Sequence, residues 1–294
     1  MRVTQNMLSE TTARTLGRAT RELLELRERA ASGRQVARPS DDPAGISRIF
    51  DFRDSLAAMD QYTRTINEGL SRLTFAESNI NQMQQLVQRA QEIAVAQGTS
   101  TASQASRAAA AVEVGQLISQ LASLGNAKHG DHYLFAGFKS DAAPFSSTGT
   151  YSGDSNEAQL EVSPGAKVTV DVAGDRLLKG ADGDQDIFTA LSGLKTALES
   201  NNPGTVQARI SELDGGRSHL SKIRAEVGAR MRRLEGHQDH LAGVKLTTQE
   251  ALSNVEEADF TKVLTDLASR EAAYEAALAS SARILQLGLL QFLR

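Results

Sequence analysis

The residues able to do chemistry are few, and their spacing is the first thing to test. Among five histidines, His129/His132 and His237/His240 form two pairs, each separated by three positions. On a helix that interval sets both imidazoles on one face, an arrangement zinc accepts when further ligands join. Neither pair has a fixed acidic or third imidazole partner in the sequence, so surface or loop histidines are expected. Asp182, Asp184 and Asp186 imitate the opening of a calcium loop. Such a loop needs glycine at its sixth position and glutamate at its twelfth, where this chain has Ile187 and Gly193. An acidic turn, with Asp186 helping to start the next helix, is the expected reading. Ser192-Gly193-Leu194-Lys195 fits S-x-x-K in form, but its companion motifs are missing and the segment has a helical pattern. Arg230, Arg232 and Arg233 stand near Glu226 and Glu235, as on a solvated helix face. With no G-x-S-x-G, no P-loop and no G-x-G-x-x-G, the sequence predicts neither an enzyme nor a cofactor.

The elements that would hold such groups are long helices. The chain has 294 residues, 4% aromatics, and neither tryptophan nor cysteine. Small and aliphatic residues suit helix seams better than a thick core. Without cysteine, disulfides, thiolate metal sites and thiol catalysis drop out together. A net charge of -4 gives no bulk attraction to nucleic acid or anionic lipid. No apolar run approaches the roughly 20 residues that cross a bilayer, so neither nucleic acid nor membrane insertion is expected. The opening Met1-Arg2-Val3-Thr4-Gln5-Asn6 lacks the apolar core of a secretory signal. The protein is therefore expected to stay in the cytoplasm or to leave without a cleaved signal.

The periodicity predicts a first helix over about 5–32, stopped by Gly33 in a left-handed conformation. Arg38-Pro39 must be extended. Asp42 is the expected N-cap of a second helix, with Pro43 in its first position, where a missing N–H costs nothing. Phe52, Met59, Ile66, Leu73, Ile80, Val87 and Ala94 recur every seven residues along it. A helix from Pro43 to about Ala96 would be roughly 80 Å long, a coiled-coil rod. A third helix is predicted over about 104–124. Tyr133 to Phe138 has a strand pattern, and a hairpin is expected around Pro164-Gly165, with Leu160 and Val162 before it and Val168, Val170 and Val172 after it. Helix resumes near Asp186, and Val206, Leu213, Leu220, Val227, Leu234 and Leu241 give a second heptad seam. The two rods are expected to run antiparallel, with the β region at the far end and the termini meeting.

Both ends are amphipathic. Leu8, Leu16, Leu23 and Leu26 return at helical spacing near the N-terminus, and Leu264, Leu267, Tyr274, Leu278, Leu285, Leu289 and Phe292 near the C-terminus. The last turns are apolar almost all round, and such a helix end must be buried by something. These residues are the expected subunit interface, the two stripes pairing with each other and assembly covering what remains.

Four segments resemble the flagellin superfamily and, within it, the hook-associated proteins of the hook–filament junction. They are Ala31-Ser32-Gly33-Arg34 leading into Arg38-Pro39-Ser40-Asp41-Asp42-Pro43-Ala44-Gly45; Asn126 and Gly130 with Tyr133-Leu134-Phe135-Ala136-Gly137 and Pro144-Phe145; Arg224 to Arg230 with Arg233-Leu234-Glu235; and Val255 to Asp259 through Leu289 to Leu293. The turn motif Pro39, Asp41, Asp42 and Pro43 favours the junction branch over filament flagellins, the alternative reading. The resemblance implies a mainly α fold: long antiparallel coiled-coil helices, paired N- and C-terminal helices, and a small inserted β subdomain. It suggests a terminal-helix domain at 1–38 plus 255–294, a helical rod at 39–132 plus 187–254, and a β-rich outer part at 133–186. It further implies a secreted structural protein of the flagellum that forms a ring with copies of itself, sits above the first hook-associated protein and templates flagellin. An export chaperone and the type III export apparatus would deliver it.

Overall fold

The computed structural model describes residues 5–292 apart from 182, and of these all side chains except those of residues 5, 6, 8, 9 and 284–292. The chain is mainly helical: α1 (Gln5–Ser32), α2 (Pro43–Gln97), α3 (Gln104–Gly125), α4 (Gly174–Leu178), α5 (Ile187–Glu199), α6 (Pro203–Glu256) and α7 (Phe260–Phe292). Among the described residues four short strands make two antiparallel pairs, β1 (Lys128–His129) with β2 (His132–Tyr133), and β3 (Gln159–Ser163) with β4 (Ala166–Thr169). The expected fold class, long helices with a small β insertion, is the observed one.

The helix boundaries follow local chemistry. Gly33 ends α1 at φ +68°, and its amide donates to the carbonyl of Arg29 at 2.9 Å. The Asp42 carboxylate accepts the Ala44 amide at 3.1 Å as α2 begins. Ser103 and Asp186 cap α3 and α5 through their side chains. The β3–β4 turn falls on Pro164-Gly165, with Gly165 at φ +77°.

Contacts divide the chain into two compact units, Met59–Gly243 on one hand and Met1–Ala58 with Val244–Arg294 on the other. These limits fall inside α2 and α6. In the larger unit α2 and α6 run antiparallel. Gln84 donates to Ser221 at 2.9 Å, Arg224 to Glu77 at 2.6 Å, and Gln238 to Asn67 at 3.0 Å. Their heptad residues Ile66, Leu73, Ile80 and Val87 are buried, as are Val206, Leu213, Leu220, Val227 and Leu234. Glu77, Gln84 and Gln91, which interrupt the α2 heptad, are half-buried, and the first two meet Arg224. The seam thus carries a polar stretch that only one alignment of the helices can satisfy. α3 and α5 pack side by side. Arg107 of α3, itself buried, donates to the carbonyls of Gln97 and Thr99 and to the Asn201 side chain.

The expected strand over 133–138 is corrected. Only His132 and Tyr133 are in a strand, and Leu134, Phe135 and Ala136 form a buried turn. Its backbone polar groups are paired irregularly: the Phe135 carbonyl accepts the Gly174 amide at 2.9 Å and the Tyr151 hydroxyl at 3.1 Å. Gly137 bends the chain at φ +67°, where a Cβ would lie 2.2 Å from the Asp154 carboxylate. Alternation of apolar residues came from burial in a turn, not from a ladder.

Candidate assembly surface

The smaller unit brings the first and last helices together. α1 and α7 lie side by side, joined across the seam by Arg27–Glu271 at 2.7 Å and Arg270–Glu22 at 2.9 Å. Both pairs are half in water, so each adds little beyond orientation. Leu23 is buried, and Leu16, Leu26, Leu267 and Tyr274 are half-buried. Leu264 and Leu278 are not covered: they are 45% and 44% exposed. The covered side of α7 instead carries Val263, Leu267, Glu271, Tyr274, Ala277 and Ser281. The expectation that one stripe holds Leu264, Leu267, Tyr274 and Leu278 together is therefore corrected. At 100° per residue Leu264 and Leu278 fall beside the seam formed by Val263, Leu267 and Tyr274. Leu24, at 57%, and Phe260, at 55%, are exposed as well. Leu8, Leu285, Leu289 and Phe292 lie outside the residues whose side chains are described.

The turn between α1 and α2 is built from its own charges. Arg38 grips Glu28 with two hydrogen bonds, at 2.6 and 2.8 Å. Asp41 accepts the Arg38 amide at 2.9 Å and returns its own amide to the Arg38 carbonyl at 3.0 Å. Pro39, Asp41 and Pro43 are exposed, whereas Asp42 is half-buried beneath the helix start it caps.

One residue that sequence reasoning gave no role organises this region. Glu256, 9% exposed, accepts Arg34 at 2.9 Å and Arg53 at 2.7 Å on one carboxylate oxygen. Its carbonyl accepts the Gln35 amide at 2.7 Å, and the Ala258 amide donates to the Gly33 carbonyl at 2.9 Å. Arg34 and Glu257 thereby form an isolated antiparallel bridge. No spacing rule announces a carboxylate shared by arginines so far apart along the chain.

The motifs weighed for chemistry are put to structural use. His129 and His132 face each other across the short β1–β2 pair rather than sharing a helix face. His129 meets Ser71 at 3.1 Å and stacks edge-on against Phe75. Asp184 is held below the ordinary carboxylate range, chiefly by Lys222 at 3.3 Å, and also contacts His219 at 3.0 Å. Asp186 caps α5 and pairs with Lys179 at 2.6 Å, while Asp182 lies outside the described residues. Arg230 donates to Glu157 at 2.9 Å. Among the described residues no group of three or more His, Cys, Asp or Glu is placed to hold a metal ion, and no helix is long and apolar enough to cross a membrane.

A coherent class emerges from this arrangement of paired terminal helices, rod-like heptads and a small β insertion. Residues 3–140 match the family described as the bacterial flagellin N-terminal helical region. Over those residues the chain is similar to flagellin-like helical proteins. Flagellar hook-associated protein 3 of Salmonella typhimurium is 26% identical over 299 residues, covering 94% of each chain. The flagellin of Listeria monocytogenes is 21% identical, covering 91% of this chain and 90% of that protein. The solved structure of flagellar hook-associated protein-3 from Legionella pneumophila has a TM-score of 0.64 at 14% identity, covering 70% of this chain and 98% of that one. That last likeness speaks to the fold. The sequence likeness is greater to the hook-associated protein than to the flagellin.

Proposed function

We propose that this chain is a non-catalytic subunit of the hook–filament junction, outside the cell, where copies form a ring that templates flagellin. The observation that carries the reading is the apolar surface left uncovered on the paired terminal helices, at Leu24, Phe260, Leu264 and Leu278. Burying one leucine or phenylalanine fully contributes about 1.5–3 kcal/mol, so a few such residues per subunit can drive association. In this reading residues 1–38 and 255–294 form the inner assembly domain, 39–132 and 187–254 the rod, and 133–186 the outer part. The ring's neighbours are the first hook-associated protein below and flagellin above. An export chaperone covers the C-terminal helix before passage through the type III export apparatus. Together with Leu8, Leu16, Leu26, Leu267, Tyr274, Leu285, Leu289 and Phe292, the uncovered leucines make up the contact surface, Leu23 packs the seam behind it, and Pro39, Asp41, Asp42 and Pro43 shape the turn beside it.

Deletion of the gene tests this. Cells with hooks but no filaments, and with flagellin released into the medium, are expected. Filaments of normal number and length in the deletion strain would overturn the junction role. Long fibres formed by the purified chain alone in salt would instead mark a filament subunit.

A further inference from the structure

The seam between α1 and α7 defines its own alignment only weakly, since the Arg27–Glu271 and Arg270–Glu22 pairs that cross it are exposed. Leu16 and Leu23 stand a heptad apart, as do Ala19 and Leu26, and Leu23 and Ala30. Sliding α1 by seven residues therefore puts Leu16 in the place of Leu23 and Leu23 in the place of Ala30, so a leucine stays at the centre of the seam, while Ala19 takes the place of Leu26. The covered side of α7 also repeats every seven residues, at Leu267, Tyr274 and Ser281, although these three differ in size. The connections permit such a slide. Only residues 257–259 separate α6 from α7, but ten residues, 33–42, lie between α1 and α2. Weakly specified seams of this kind acquire one alignment when a polar contact is satisfied in that alignment alone.

Glu256 supplies that contact. Its carboxylate takes Arg34, two residues past the end of α1, and Arg53, on α2, while its carbonyl and the Ala258 amide complete an antiparallel bridge with residues 33–35. The bridge sets Gly33 opposite Ala258, and the same antiparallel alignment continues into the helices, where Glu22 meets Arg270. A slide by one heptad would carry Arg34 away from Glu256 and leave a carboxylate that is 9% exposed with half of its pairing. Losing a partner of a mostly buried charge is costly. We propose that Glu256 is the register key of the terminal helix pair, a positioning residue that selects one of the alignments related by a heptad and so presents the uncovered leucines in one pattern. Its relevance to assembly rests on the proposed junction role; the register itself does not.

The chain has no native cysteine, so Ala13→Cys and Ala268→Cys, both at exposed positions, accept nitroxide labels cleanly in the full-length protein. Pulsed electron spin resonance on the isolated chain should give one distance. Adding Glu256→Ala, or Glu256→Gln in a second variant, should introduce a discrete second distance displaced by about 10 Å along the axis, the rise of one heptad. A single distance at the parental value in both variants overturns the proposal, and so does a peak that merely broadens about that value, which reports general loosening. Combining Glu256→Arg with Arg34→Glu and Arg53→Glu restores the charge pattern and should restore the single distance; persistence of the second peak counts against a charge-based key. In cells, Glu256→Ala should lower the number of filaments per hook. Because the spectroscopic result is independent of the deletion phenotype, failure of the register key and failure of the junction role are separable.

Discussion

A single carboxylate decides how the long rod starts. Asp42 accepts the Ala44 amide while Gly45 leaves room for it: a Cβ on Gly45 would lie 2.5 Å from Asp42 Oδ2. Asp42→Ala should therefore lower stability by roughly 1 kcal/mol through the lost cap. Gly45→Ala should imitate it by pushing the carboxylate away, even though alanine is the better helix former. Thermal unfolding of both variants and of the double variant checks this, since effects through one cap will not add. Tyr151 offers a second residue-scale test. Its hydroxyl donates to the carbonyls of Asp154 at 2.7 Å and Phe135 at 3.1 Å. Burial, helped by the nearby Asp175 charge, pushes its pKa up to about 12. An unfolded tyrosine gives up its proton near pH 10, so between about pH 10 and about pH 12 the folded chain binds more protons than the unfolded one. Stability must fall as pH rises through that window, and Tyr151→Phe should flatten the fall. An unchanged alkaline slope in unfolding curves of the variant would contradict the assignment.

At the scale of elements, the contrast is between two kinds of helix pairing. The α2–α6 seam of the larger unit buries Ile66, Leu73, Ile80, Leu213, Leu220 and Leu234 completely. The α1–α7 seam fully covers few residues, among them Leu23 and Val263, and leaves Leu16, Leu26, Leu267 and Tyr274 half in water. Ordering each residue costs about 1–2 kcal/mol in backbone entropy, and half-covered leucines offset only part of it. Amide exchange near Leu16 and Leu267 should therefore be faster than near Leu73 and Leu220 in the isolated chain, and should slow on assembly. Equal protection of both seams in a verified monomer would remove the physical basis for a terminal seam that is formed but loose until assembly tightens it. The same contrast explains what was legible beforehand. Heptads, the Gly33 stop, the Asp42–Pro43 start and the Pro164–Gly165 turn are local signals, and each fixes an element boundary through its own backbone. The buried turn at Leu134–Ala136 and the short α4 depend on partners distant in sequence, such as Gly174 and Tyr151, so no local pattern reports them.

For the whole molecule, an assembly surface is harder to read from sequence than a catalytic site, because no residue type is diagnostic of it. The apolar periodicity of both ends identified the helices, yet which leucines stay open depends on a rotation of α7 that places Val263 and Ser281, rather than Leu264 and Leu278, on the covered side. Glu256 was invisible for a related reason, since its partners Arg34 and Arg53 arrive from the opposite end of the chain. Arg107 shows the same long reach with another outcome. The Gly98-Thr99-Ser100-Thr101 stretch has the small polar composition that digestive enzymes usually cut, but Arg107 holds the carbonyls of Gln97 and Thr99 in place. A scissile bond must unfurl several residues to enter a protease cleft, and here that motion would strand a buried guanidinium. Nicking in the native chain should thus begin in the segment around Pro39 and Ser40, whose side chains are exposed, leaving the connection between α2 and α3 uncut.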